Sequence, residues 1–293
     1  MKSGTVAVVG RANAGKSTLI NVLVGEKISI VSPKPQTTRE RIIGVLTEKE
    51  YQIVFEDTPG IYRAKNLLSD FMQRQTRDTV RDVDVILFVI DGHAGVAEED
   101  VERLKTFEKG DVPVLVAFTK TDIMPAEKLP EELRKFSGLE SAVVPVSARK
   151  GRNTKKLLAE IVKLLPEGEY VFPPDVVSDK SEKFMLREIM REKLLLKFDK
   201  EIPHGVAVVV NEYSIRPSGT AEVNLDVICE KKNHKAIIIG KQGQALKEVS
   251  SFAREGMEKF LGRKVFLTVY VKVKENWRDN PKLLGEYGYT EQD

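Results

Sequence analysis

Five short, continuous, β-branched runs alternate with longer amphipathic ones over the first 165 residues, and this alternation restricts the fold more than any other feature of the chain. The runs are TVAVVG (5–10), YQIVFED (51–57), VDVILFVID (83–91), VPVLVAFT (112–119) and SAVVPVSA (141–148). Strands covered on both faces read as near-continuous apolar stretches. Between them KSTLINVLVG, LLSDFMQRQTRDTVRD, EEDVERLKTFEKG and NTKKLLAEIVKLL carry helical spacing. Strand–helix alternation of this kind predicts an α/β domain, a mostly parallel sheet with helices on both faces.

The alternation stops at PEGEYVFPPDVVSDKSE, where Pro166, Pro173 and Pro174 interrupt any helical period. We place a first domain at 1–166, a linker at 167–181 and a second domain at 182–293. The second domain has a different order. An amphipathic helix, SEKFMLREIMREKLLLKF, precedes two strands, VAVVVNEYSI and AEVNLDVICE, joined by RPSGT. HKAIIIG is then a short helix or an extended run. QALKEVSSFAREGMEKFLG follows with Leu246, Val249, Ala253, Met257 and Phe260 on one helical face, and KVFLTVYVKVK closes as a strand. This is an α+β unit.

Composition excludes several classes. Apolar and charged fractions are ordinary for a globular protein. One cysteine, Cys229, excludes an internal disulfide, and its apolar strand context predicts a buried thiol. With three histidines and one cysteine, a His/Cys metal cage is not supported. No stretch reaches the roughly 18 apolar residues of a membrane span, so a cytoplasmic protein is expected. The net charge of +3 is uneven: residues 180–293 hold 21 Lys and Arg against 17 Asp and Glu. An excess of this sign suits an anionic partner for the second domain.

Gly10-Arg11-Ala12-Asn13-Ala14-Gly15-Lys16-Ser17, followed by Thr18, fits G-x-x-x-x-G-K-[ST] at a strand–helix junction. Backbone N–H groups of such a loop and the positive end of the helix cradle phosphates. Lys16 would neutralise the β- and γ-phosphates, and the Ser17 hydroxyl would ligate Mg²⁺. FEDTPG ends a strand with Asp57-Thr58-Pro59-Gly60. Asp57 can hold Mg²⁺ through water, and the Gly60 N–H can sense a γ-phosphate. In PQTTR (35–39), Thr38, or failing it Thr37, can reach Mg²⁺ when a triphosphate is present. Thr119-Lys120-Thr121-Asp122 follows a buried strand. There a carboxylate, Asp122, accepts from the N1–H and N2–H₂ edge that guanine has and adenine lacks, and the Lys120 stem packs along the base. Ser147 and Ala148 in VSARKG follow the last strand and can offer a backbone N–H to the guanine O6.

These five stretches, in this order, resemble the G1–G5 boxes of translation-factor-type GTPases. The sequence departs from that pattern twice. Thr119 stands where the guanine box usually begins with Asn, which puts nucleotide affinity in question more than base choice. Ile61 stands where Ras-like proteins carry a catalytic Gln, and an aliphatic side chain cannot orient water. The resemblance therefore implies a GTPase that recruits another catalytic element. Asn13 matches the Asn with which some such GTPases hold a potassium ion. The catalytic set is then Lys16, Thr38, Gly60 and Asn13, the metal set Ser17, Thr38 and Asp57, and the cofactors GTP/GDP, Mg²⁺ and K⁺.

A second glycine loop, IIIGKQGQALKE, differs in kind. Gly240-Lys241-Gln242-Gly243 has two residues between its glycines and no Ser or Thr after them. A lone G-x-x-G is weak. This one lies between two helices, in the order helix–strand–strand–helix–G-x-x-G–helix–strand, which is that of a type II KH domain. Such a loop clamps about four nucleotides of single-stranded RNA. Ile239, Gly240, Lys241, Gln242, Gly243 and Lys247 are the candidate contacts.

A GTPase domain followed by a KH domain, with SPKPQTTRERI, FEDTPGIY, LPEGEYVFPPD, IIIGKQGQALK and VKENWRDN, resembles the bacterial Era family over essentially the whole chain. That resemblance implies a GTP-hydrolysing, RNA-binding switch that binds the 3′ end of 16S ribosomal RNA and assists maturation of the 30S subunit. It implies a monomer in the cytoplasm, in part peripherally on the inner membrane. It also implies that ENWRDN helps to bind RNA, with Trp277 and Arg278 as contacts; a Trp packed on the domain is the equal alternative. A reading from another class is an RNA adaptor that binds nucleotide with little turnover, which Thr119 and Ile61 motivate.

Overall fold

The computed structural model describes residues 1–60 and 65–289. Ile61 lies outside them. The described chain forms two compact units, one of residues 1–29, 38–60 and 72–179, the other of 30–37, 65–71 and 180–289.

The first unit is built on β1 (Lys2–Val9), α1 (Lys16–Val24), β2 (Ile42–Glu48), β3 (Tyr51–Asp57), α2 (Leu67–Thr79, whose first residues belong to the other unit), β4 (Val85–Asp91), α3 (Glu98–Phe107), β5 (Val114–Thr119), α4 (Leu129–Arg134), β6 (Ala142–Pro145) and α5 (Thr154–Leu164). The sheet order is β2-β3-β1-β4-β5-β6. All neighbours are parallel except β2 and β3, which form an antiparallel hairpin pairing Ile42 with Asp57 through Glu48 with Tyr51. β2 is absent from the sequence reading. IIGVLTE is interrupted by a glycine at its third residue and is only partly buried from Leu46 on, so it lacks the long apolar run of its neighbours. Alternate residues of β1, β4 and β5 supply two apolar layers. Ala7, Val9, Ile86, Phe88, Ile90, Val116 and Phe118 pack with Leu104 of α3 and with Phe136. α1 and α5 bury Leu19, Ile20, Leu157 and Ile161.

Residues 167–179, expected as a linker, are bonded along the hairpin of this unit. Val45 N–H donates to the Val177 carbonyl at 2.8 Å, and Ser178 Oγ donates to the Ile43 carbonyl at 2.7 Å. The Gln52 amide donates to Phe172 O while its oxygen accepts from Val171 and Phe172. Edge-strand groups bind a proline-rich segment without needing a periodic sequence. This is why composition alone reads the segment as a connector.

The second unit contains α6 (Glu182–Lys197), β7 (Val206–Ile215), β8 (Ala221–Cys229), α7 (Lys232–Ile239), α8 (Gln244–Leu261), β9 (Val265–Val273) and α9 (Pro281–Glu286). Its sheet order is β7-β8-β9, with β7 and β8 antiparallel and β8 and β9 parallel. The HKAIII run is the helix α7. Val249, Ala253 and Met257 of α8 are buried against Leu186, Ile189 and Met190 of α6, whereas Phe260, expected on the same face, is 37% exposed. Cys229 is fully buried, and burial pushes its thiol above the ordinary range.

Trp277 corrects its assignment as an RNA contact. Its ring is fully buried, its Nε1–H donates to the Gly205 carbonyl at 3.0 Å, and Tyr287 and Tyr289 pack on it. No face of the indole is open to a base. The hydrophobic gain from an aromatic of this size outweighs what an exposed stacking platform would return. Trp277→Ala is expected to destabilise the second unit by about 3–5 kcal/mol, measured as a shift in urea midpoint at unchanged slope.

Candidate functional site

The first loop leaves β1 at Val9 and enters α1 at Lys16. Its lysine is buried at 6% exposure, and Nζ donates to the Gly10 and Arg11 carbonyls at 3.1 and 3.0 Å. Desolvation lowers the Lys16 pKa to about 8, against the pull of Asp57. The loop is tied at both ends. Arg11 Nη2 meets the Asp100 carboxylate of α3 at 2.8 Å. Thr119 Oγ1 lies 2.7 Å from the Ala14 carbonyl and 3.0 Å from that of Ile90. One hydroxyl proton serves both carbonyls, and the tie joins the guanine-side strand to the phosphate loop. Thr119 thus supplies the cross-link within its shorter reach. Asn13 is exposed at the loop's apex with φ +64°.

Three oxygens converge beside Lys16. Ser17 Oγ lies 3.0 Å from Thr38 Oγ1, which donates to Asp57 Oδ2 at 3.3 Å. Thr38, and not Thr37, therefore enters the cluster; Thr37 Oγ1 donates to the Lys34 carbonyl at 2.7 Å. Asp57 is fully buried, desolvation raises its pKa, and its Oδ1 has no hydrogen-bond partner among the described residues. A buried carboxylate oxygen without a donor, beside two hydroxyls, fits a hard divalent cation that keeps part of its water shell. Thr58 Oγ1 donates to the Val8 carbonyl at 2.9 Å, and Pro59 O accepts from Thr76 at 3.0 Å. A Cβ on Gly60 would stand 2.8 Å from Ala12 Cα, so only glycine lets this strand end lie against the phosphate loop.

On the base side, Ser147 Oγ donates to Asp122 Oδ1 at 2.6 Å, and this bond is the main cause of the lowered Asp122 pKa. Asp122 is half-buried and held as an anion, as an acceptor for two N–H groups needs to be. Thr121 Oγ1 donates to the Val146 carbonyl at 3.0 Å, and Lys120 Nζ pairs with Asp91 at 2.6 Å, stretching its stem beside the site. Ala148 follows Ser147 on the same turn. Sequence reasoning does not reach Asp91 and Asp100, the partners of Lys120 and Arg11. Acidic residues at strand ends and in first helical turns carry no local sign of a distant loop partner.

The second loop has the geometry of a clamp. α7 ends at Gly240 with φ +74°, and a Cβ there would stand 2.7 Å from Ala245 Cβ. Gln242 (φ +52°) and Gly243 (φ +77°) turn the chain into the 18-residue α8. The α8 N-terminus then directs its free N–H groups at the loop. Lys241, Gln242 and Lys247 are exposed, and Ile239 is half-buried. An open cleft of about 590 Å³ borders the loop, lined by Lys197, Lys241, Lys247 and Phe252 among others. Lys197 and Phe252 escaped sequence reasoning, because one is half a domain away in sequence and the other reads as part of a helix. Arg278 is paired with the buried Glu230 inside the unit.

A GTP-type phosphate site with its metal oxygens and guanine carboxylate, on one chain with a KH-type RNA clamp, defines a guanine-nucleotide switch protein with an RNA-binding domain. Residues 5–120 match the family described as 50S ribosome-binding GTPase, and residues 201–278 match the KH domain. The chain is 44% identical over 291 residues to GTPase Era of Clostridium kluyveri, covering 99% of both chains. It superposes with a TM-score of 0.93, at 41% identity and over 99% of its length, on all of an Aquifex aeolicus Era variant bound to GDP and AlF4⁻. The same values hold for Era in complex with MgGDPNP and nucleotides 1506–1542 of 16S ribosomal RNA. The chain belongs to the Era family of GTPases.

The lowered Lys16 pKa has a thermodynamic consequence. Nucleotide phosphates raise it, so the bound protein carries more protons than the free one above the free value of about 8. GDP affinity is expected to fall as pH rises through about 8. Calorimetry at about pH 8.5 in buffers of different ionisation enthalpy is expected to show net proton uptake, lost in Lys16→Ala.

Proposed function

We propose that this protein is a GTPase whose KH domain binds the 3′ end of 16S ribosomal RNA, and that nucleotide state sets its RNA-binding competence during maturation of the small ribosomal subunit. The observation that carries this reading is one chain holding both a phosphate loop, with hydroxyls and a buried carboxylate beside it, and a G-x-x-G turn at a helix N-terminus. The relative solved with MgGDPNP and nucleotides 1506–1542 of 16S RNA supports it.

In the reaction, water oxygen bonds to the γ-phosphorus as the bond to the β–γ bridging oxygen breaks, giving GDP and inorganic phosphate. Lys16 faces the oxygens on which charge accumulates, and the Gly60 N–H is offered to the γ-phosphate. Ser17, Thr38 and, through water, Asp57 would hold Mg²⁺, which when bound neutralises β- and γ-oxygens. Asp122 selects guanine. Asn13 would accept K⁺, whose charge would serve as an arginine finger does.

The 30S subunit as assembly partner, a cytoplasmic location and peripheral association with the inner membrane complete the reading, as does a monomeric state. Among the described residues no helix is long and apolar enough to cross a membrane. Any membrane contact is therefore peripheral in this reading.

Single-turnover GTP hydrolysis with and without RNA of the 16S 3′ end tests the proposal. Turnover that the RNA increases, with tighter RNA binding in the GDPNP than in the GDP state, is expected. RNA affinity indifferent to nucleotide, with no turnover, leaves the adaptor reading instead. Gly243→Asp separates clamp from fold, since a Cβ there meets no atom within 4 Å and Asp tolerates positive φ. It is expected to weaken RNA binding about tenfold or more at low salt and to cost no more than about 1–2 kcal/mol of stability, leaving the chain folded. Turnover is expected to be faster in potassium than in sodium buffer; equal rates would remove the role given to Asn13.

A further inference from the structure

The second unit takes in residues 30–37 of the chain and seats them on α6. Val31 N–H donates to Glu192 Oε1 at 3.0 Å, and Lys34 Nζ reaches the Phe198 carbonyl and, at 2.8 Å, Asp199. The third anchor is Arg191. Its side chain is wholly buried, and Nε and Nη2 donate to the two carboxylate oxygens of Glu188, Nε at 3.0 Å. Its remaining reach goes to two successive carbonyls, Gln36 O at 3.4 Å and Thr37 O.

A buried ion pair is costly and is retained where further hydrogen bonds satisfy it. Here those bonds go to a backbone that needs holding. Gln36 has φ +61°, a conformation that a non-glycine residue adopts at a cost. Left-handed Gln36 turns the 36 and 37 carbonyls towards one guanidinium, and the guanidinium keeps it left-handed.

The next residue is Thr38, whose hydroxyl lies among the oxygens of Ser17 and Asp57. The peptide joining Thr37 to Thr38 is planar and trans, so the Thr37 C=O and the Thr38 N–H point in opposite directions. Fixing the carbonyl fixes the N–H and the Thr38 Cα from which the side chain leaves. We propose that Arg191, oriented by Glu188, is a positioning residue for GTP hydrolysis: it holds the Thr37–Thr38 peptide in the setting that brings Thr38 to the metal oxygens. The sequence hides this role, because Glu188 and Arg191 at i, i+3 read as an ordinary surface pair on an amphipathic helix. The inference rests on the GTPase reading above.

The test uses the full chain and two variants. Arg191→Gln removes the guanidinium, and Glu188→Met/Arg191→Leu replaces the pair by apolar groups, while Arg187, the other guanidinium beside Glu188, keeps its bond to the Tyr287 carbonyl. Three quantities are read: GDP affinity, GDPNP affinity and kcat. GDP holding rests on the phosphate loop, Thr119 and Asp122, so it is expected within twofold of wild type in the double variant. GDPNP affinity and kcat are each expected to fall about tenfold or more, the size of a misplaced reacting group. An unchanged kcat and GDPNP-to-GDP affinity ratio in a folded double variant overturns the proposal. So does an equal fall in GDP and GDPNP affinity, which marks a purely structural pair. A wild-type chain that does not hydrolyse GTP overturns the functional reading and is distinguished at the outset by its own control.

Discussion

A lysine ammonium held out of water at the end of a buried strand is the feature on which the first unit depends. Lys16 has no carboxylate in direct contact; two carbonyls of its own loop satisfy it, and burial has already brought its pKa to about 8. Such a group is tolerable only if the backbone around it cannot relax. The ties from Arg11 to Asp100 and from Thr119 to the Ala14 carbonyl keep the loop from relaxing. The sheet order, with β1 flanked by β3 and β4, brings Asp57 and the β4 and β5 strand ends to the same edge. A phosphate group entering this cradle meets donors already aimed at it and pays little to reorganise them.

Asp57 is the complementary half of the same arrangement. Its carboxylate is desolvated, with one oxygen near the Thr38 hydroxyl and the other without a donor. A buried cation lies near a buried anion that keeps one oxygen without a donor among the described residues, an arrangement that suits the entry of further charged groups. Binding and folding free energy are then the same quantity in part, as for any ligand that binds the native state alone.

The second unit solves a different problem. Its clamp must present backbone to a flexible polyanion, so it needs a tight turn, a helix N-terminus and exposed lysines, with no deep pocket. Close packing of Gly240 on Ala245 provides the turn, and α8 provides the dipole. Trp277, Tyr287 and Tyr289 stabilise the unit from within, together with Phe71 from the 65–71 segment. Segments 30–37 and 65–71 thus belong by their packing to the second unit.

The sequence by itself determined the parts whose physics is local. The phosphate loop, the Asp57-Thr58-Pro59-Gly60 strand end, the Thr119–Asp122 box and the Gly240–Gly243 turn each need particular residue types at short spacing, so each is legible as a string. The parallel sheet was legible too, because strands buried on both faces leave continuous apolar runs. Tertiary structure alone decided the rest. It chose Thr38 over Thr37, because only the fold says which hydroxyl faces Ser17. It buried Trp277, since a lone aromatic in a polar string looks the same whether its partners are bases or tyrosines. It bound the 167–179 segment to an edge strand and gave Arg191 its carbonyls from Gln36 and Thr37, about 155 residues away. These are pairings at long sequence separation, and a side chain's own neighbours in sequence carry no record of the partner it meets across a fold.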